Sequence, residues 1–122
     1  MNIFVKVGDM QYPASITGRI HDSDWDDRSS KAIKLQMGYE MATAIFVDDV
    51  NWSIVQEVEE MVEVIDEETG EITMKPVIIE EEYDNSEYSV AGEIVDHRNG
   101  YVTVKMGMVT TVELLSMIQE VL

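Results

Sequence analysis

Between residues 57 and 87 the chain holds 13 acidic side chains and one base, Lys75, yet this stretch is no polar tail. Val58, Met61, Val62, Val64, Ile65, Ile72, Met74, Val77, Ile78 and Ile79 run through it, and acids alternate with β-branched apolar residues. Alternation of that kind fits a strand with one wet face, because successive side chains of an extended chain point to opposite sides. Glu67-Glu68-Thr69-Gly70-Glu71 supplies a turn. The pattern therefore predicts a long acidic hairpin arm at about 55–82. Pro76 marks an edge or a bulge in it, since proline cannot donate to a ladder. Ile54, Val58, Met61, Val62 and Ile65 also match helical spacing. The β-branched content of residues 50–65 favours strand, with helix as the alternative.

The rest of the chain reads as further hairpins. Ile3, Val5 and Val7 alternate with polar or larger neighbours, Gly8-Asp9 fits a two-residue turn, and Tyr12, Ala14 and Ile16 return. Pro13 places this return strand at an edge or a bulge. Residues 21–30 read as a polar loop, followed by a strand through Ile33, Leu35 and Met37. Tyr39–Phe46 can form a short helix with Met41, Ala42, Ile45 and Phe46 on one face. Asn99-Gly100 between two alternating runs is a strong hairpin signal, with Val102, Val104 and Met106 toward the core. Thr110-Thr111-Val112-Glu113 reads as a capping box that starts a C-terminal helix. Val109 and Leu114 stand at the positions of a hydrophobic staple. Val112, Leu115, Ile118 and Leu122, widened by Leu114 and Val121, form its expected core-facing stripe. The fold class is α+β: mostly antiparallel β hairpins with a short middle helix and a capped C-terminal helix, in a single domain over residues 1–122.

Composition limits the function. The formal net charge is −17, and about two-thirds of it lies in the middle segment. A direct nucleic-acid or anionic-membrane binder needs a basic footprint, which this chain lacks. With no Cys there is no disulfide framework and no zinc finger. The N-terminus lacks a signal-peptide pattern and no apolar run approaches a membrane span, so a soluble protein made in the cytosol is expected.

Motifs for chemistry are sparse. Asp22, Asp24 and Asp26 occupy the first three ligand positions of an EF-hand loop, but Asp27 and Ile33 stand where Gly and Glu are required. A solvated acidic loop with Asx turns is the plainer reading. His21 and His97 fall in loops without a ligand pattern, and Ser29 and Ser30 lack the setting of a nucleophile elbow. Glu80, Glu81, Glu82 and Asp84 read as a solvated strand edge. Asn51-Trp52-Ser53 matches a glycosylation triplet by chance in a chain without a secretory signal. No catalytic residue, cofactor or metal is expected, and the chain is not read as an enzyme. Trp25, among four Asp residues and beside Arg28, is either a partner anchor or a lid folded onto the core, with Arg28 paired to a neighbouring Asp. The nine Met residues suit either core filling or an adaptable contact surface.

Several segments resemble a known group. Tyr12-Pro-Ala-x-Ile-Thr-Gly-Arg19 is followed by Asp22-Ser-x-Trp25-Asp-x-Arg28-x-Ser-Lys-Ala-Ile33. Phe46-Val-Asp48, Trp52-Ser-Ile-Val55, Tyr83-Asp-Asn-Ser-Glu-Tyr88 and Asp96-His-Arg98-x-Gly100-x-Val-Thr-Val-Lys-Met-Gly107 complete the set. Together they resemble small acidic proteins of phages and prophages of Gram-positive bacteria, encoded among tail-morphogenesis genes. The likeness covers most of the chain except residues 57–80, where the acidic hairpin departs from the pattern. It carries no catalytic signature.

The resemblance implies a phage virion structural or assembly accessory protein, tail-associated, acting by protein–protein contacts in the bacterial host cytoplasm or in the virion. Its partners would be other phage structural proteins or a basic host protein, with homo-oligomers also open. The alternative is an acidic nucleic-acid mimic that inhibits a host defence nuclease, a CRISPR effector or a restriction enzyme. Trp25, Arg28, Glu57, Glu59, Glu63, Glu80 and Glu82 are the candidate partner-binding residues under either reading.

Overall fold

Strands carry most of the chain in the computed structural model, which describes residues 2–121. In order they are β1 (Ile3–Val7), β2 (Met10–Ile16), β3 (Ile20–Asp22), β4 (Arg28–Leu35), helix α1 (Tyr39–Ile45), β5 (Trp52–Ile65), β6 (Ile72–Asp84), β7 (Val90–Asp96), β8 (Val102–Gly107) and helix α2 (Thr111–Val121). All pairings are antiparallel, and the sheet runs β6-β5-β1-β2-β4-β8-β7, with β3 added on β4. The α+β class stands, and the ambiguous stretch 50–65 resolves as a strand from Trp52 to Ile65.

One face of the sheet holds the core. Val5, Ile33, Leu35, Trp52, Val102, Val104 and Met106 are each buried on it, joined by Met37, Tyr88 and the α1 residues Ala42 and Phe46. Alternation explains the choice: Ile33 faces Val104 and Leu35 faces Val102 across the ladder, so every second residue meets α1 or the loops that flank it. Trp52 donates its indole N–H to the Tyr88 carbonyl at 3.0 Å and meets the Tyr88 ring edge-on at 6.4 Å. A buried indole N–H needs such a partner.

Four expectations change. Of the two settings open to Pro13 the edge strand is excluded, because β2 lies inside the sheet, while the irregular one fits: Pro13 sits where β2 leaves β1 and pairs with β4 only from Ala14 onward. Residues 21–30 are only partly loop, since β3 ends at Asp22 and β4 begins at Arg28. Met41 is exposed and leaves Ala42 and Phe46 to anchor α1. The apolar stripe of α2 does not face the core. Val112, Leu114, Leu115 and Ile118 are each half or more exposed, and no strand or helix packs along α2 among the described residues. Leu114, one half of the staple, is half exposed; Leu122, and the side chain of Val121, lie outside what is described. The methionines divide: Met37 and Met106 fill the core, while Met10, Met41, Met61, Met74 and Met117 are exposed.

Candidate functional site: an acidic arm and an arginine clamp

The β5–β6 ladder keeps one register from Ser53 opposite Asp84 to Ile65 opposite Ile72. The turn that closes it is tied by Asp66, whose carboxylate accepts the N–H groups of Glu68 and Thr69, and by Gly70 in the left-handed region. β1 covers β5 only from Trp52 to Gln56, and the Glu57 N–H to the Asn2 carbonyl, at 3.0 Å, is the last bond between them. From there a two-stranded ribbon continues alone to Ile65, about 27 Å at ~3.4 Å per residue.

Register sorts the ribbon's side chains. Glu57, Glu59, Met61, Glu63 and Ile65 share one face with Glu80, Ile78, Met74, Ile72 and Glu82 of β6. All five glutamates named from the sequence therefore lie on the same face. Glu57 stands directly opposite Glu80, a like-charge pair that costs stability. At the ribbon's base Glu82 meets Lys6 at 3.0 Å, and that contact raises the lysine's pKa. Lys75, the arm's own base, points to the other face, opposite Val62. That second face carries Val58, Val62, Val64, Val77 and Ile79, each half-buried against ribbon neighbours. Met61, Ile65, Ile72, Met74 and Ile78 are more than half exposed among the acids. A lone two-stranded hairpin is marginal in water, and this one leaves those five apolar side chains uncovered among the described residues.

Trp25 and Arg28 sit elsewhere, on the sheet face away from the core. Trp25 lies over Gly92 and Gly107, where a Cβ at either position would come within 3 Å of its ring. The chain reaches this arrangement through a tight loop in which Asp26 and Asp27 both adopt positive φ, tolerable for aspartate. Arg28 is buried and stacks on Trp25 at 4.7 Å. It grips Glu113 through two bonds, Nη1 to Oε1 at 2.6 Å and Nη2 to Oε2 at 2.9 Å, and donates to the Met108 carbonyl at 2.8 Å. Trp25 thus folds back onto the sheet, but on the face away from the core cluster and not as a lid on the core, and Arg28 pairs with Glu113 and not with a neighbouring Asp.

Glu113 also completes the capping box. It accepts the Thr110 N–H at 2.9 Å and donates its own N–H to Thr110 Oγ1 at 3.2 Å. The Arg28 guanidinium first, and then the Thr110 N–H, hold its carboxyl down at about 2. Beside this clamp Asp22 takes Lys105 at 2.6 Å, which lowers the Asp22 pKa and raises that of Lys105. The cross-chain roles of Glu113 and Lys105 were not visible in the sequence, where Glu113 reads only as a helix cap.

Of the remaining candidates, Ser29, His97 and Asp22 hold structural bonds, while the buried Ser30 hydroxyl has no partner among the described residues. Ser29 accepts from Arg19, the His97 ring pairs with Thr103 Oγ1 at 2.8 Å, and Asp22 accepts the Asp24 N–H as an Asx turn. Among the described residues no group of three His, Cys, Asp or Glu side chains is placed to hold a metal ion, and no helix is long and apolar enough to cross a membrane. A hollow of about 830 Å³ forms an open trough beside β2 between Phe4, Pro13 and Tyr101, with Lys34 its one charged lining residue. In comparisons with known proteins, no family model, no curated protein and no solved structure matches the chain.

Proposed function

We propose that this chain is a structural or assembly component of a phage particle, tail-associated, that works through protein–protein contacts made by its acidic arm. The observation that carries the reading is the ribbon beyond Glu57, which is paired on one side only and exposes apolar residues among its acids. Such a surface suits a partner more than solvent. The sequence resemblance to phage proteins supplies the setting. Purified particles analysed by mass spectrometry should contain the protein or should fail to form tails without it. Intact tails assembled in its absence, with no copy in the particle, would defeat this reading.

The second reading, a nucleic-acid mimic, draws on the shared face of Glu57, Glu59, Glu63, Glu80 and Glu82. Met61, Ile65, Ile72, Met74 and Ile78 interrupt that face, which a mimic of a phosphate backbone does not need. Salt-sensitive binding to a purified nuclease, lost when the five glutamates become Gln, would favour the mimic over the assembly role.

A further inference from the structure

The arm has two long edges, and they differ. Glu57 directs its N–H toward β1, and Asp66 directs its N–H toward Glu71 across the hairpin. Backbone groups alternate along a strand, so Glu59, Met61, Glu63 and Ile65 aim their N–H and C=O groups at the side where β1 has ended. No strand among the described residues occupies that inner edge. By the same alternation the even-numbered residues of β6 face outward on the other edge. Pro76 is one of them, so it removes no bond from the ladder and leaves a gap halfway along the outer edge.

We infer that the inner edge of β5, from Glu59 to Ile65, receives an extended strand of a partner protein, antiparallel to β5 and in line with β1, whose residues alternate Lys or Arg with β-branched apolar side chains. This rests on the arm being the contact surface proposed above and names what it contacts. Partner positions beside Glu59 and Glu63 fall on the acidic face, where basic side chains are complementary. The intervening positions fall beside Glu60, Val62 and Val64, and at the two valines apolar side chains extend the half-buried stripe.

A second copy is a poor occupant. Lys6, Arg28, Lys31 and Lys105 are already engaged by Glu82, Glu113, Asn85 and Asp22, and the exposed edge strand β7 carries Glu93 and Asp96. Charge therefore directs the edge toward a different chain.

The test uses the full protein with an eight-residue peptide of alternating Lys and Val, read by residue-level amide hydrogen exchange. Binding should slow exchange at Glu59, Met61, Glu63 and Ile65 by about tenfold or more and leave Ile72, Met74 and Ile78 unchanged. A peptide with the same composition in two blocks, four Lys then four Val, should not do this, nor should the alternating peptide N-methylated on its edge-facing amides. Met61→Pro removes one edge donor and no β6 bond, so it should abolish protection; if it fails to fold, the N-methylated peptide gives the same answer. Equal protection by the block peptide, or binding without protection of these four amides, overturns strand addition. Arm-dependent particle assembly together with an unprotected edge would remove only this inference, whereas assembly that ignores the arm would remove the reading beneath it.

Discussion

Arg28 fixes where α2 leaves the body. Its guanidinium is buried, and Glu113, 85 residues away in sequence, is its one ionic partner among the described residues. Glu113→Gln keeps the capping box, because Gln also serves at that position. It removes the charge, and should cost about 1–2 kcal/mol by urea denaturation. The same carboxyl gives a pH dependence. Its folded value, about 2, lies below its ordinary 4.5, so the stability it contributes is complete above 4.5 and fades as pH falls toward 2. An NMR titration of Glu113 should show its midpoint near 2, and the Gln variant should lose this component of acid unfolding. Gly107→Ala presses a methyl against Arg28 and Trp25. It should destabilise by about 1–3 kcal/mol and shift Trp25 fluorescence, since both side chains are pinned.

At the scale of elements, the arm and the body are separable. The core cluster contains no residue between 58 and 79. Replacing Glu59–Ile78 with Asn-Gly would close the ribbon at Val58 opposite Ile79. The shortened chain should keep a cooperative melt and the same Trp52 environment by near-UV circular dichroism. Glu80→Lys turns the opposed pair with Glu57 into an attractive one and should stabilise the arm by about 0.5 kcal/mol.

Local signals foretold much of this architecture. Gly8-Asp9, Asn99-Gly100 and the acid–valine alternation each set a turn or a period within a few residues. The α2 stripe misled because a helical period reports that one face is apolar, not what covers it. Val112, Leu115 and Ile118 form that face, and among the described residues no strand or helix packs along it. The clamp was hidden for a different reason: Arg28 and Glu113 meet only after β4 and β8 pair, and nothing local to either residue encodes that. Alternation, a local rule, already groups Glu57, Glu59 and Glu63 on one strand and Glu80 and Glu82 on the other, but only the hairpin register puts the two sets on one face.

For the molecule as a whole, charge opposes compactness. At −17, with most of the excess on one arm, self-repulsion should fall as salt rises. A melting temperature that climbs between 10 mM and 0.5 M salt checks this, and the shortened chain should climb less. The Glu57–Glu80 pair at the root of the ribbon has a consequence for timing. Two arms meeting in solution would bring four such carboxylates together, so crowding alone does not nucleate fibres. On the proposed role, the arm stays unpaired until a partner arrives that neutralises it.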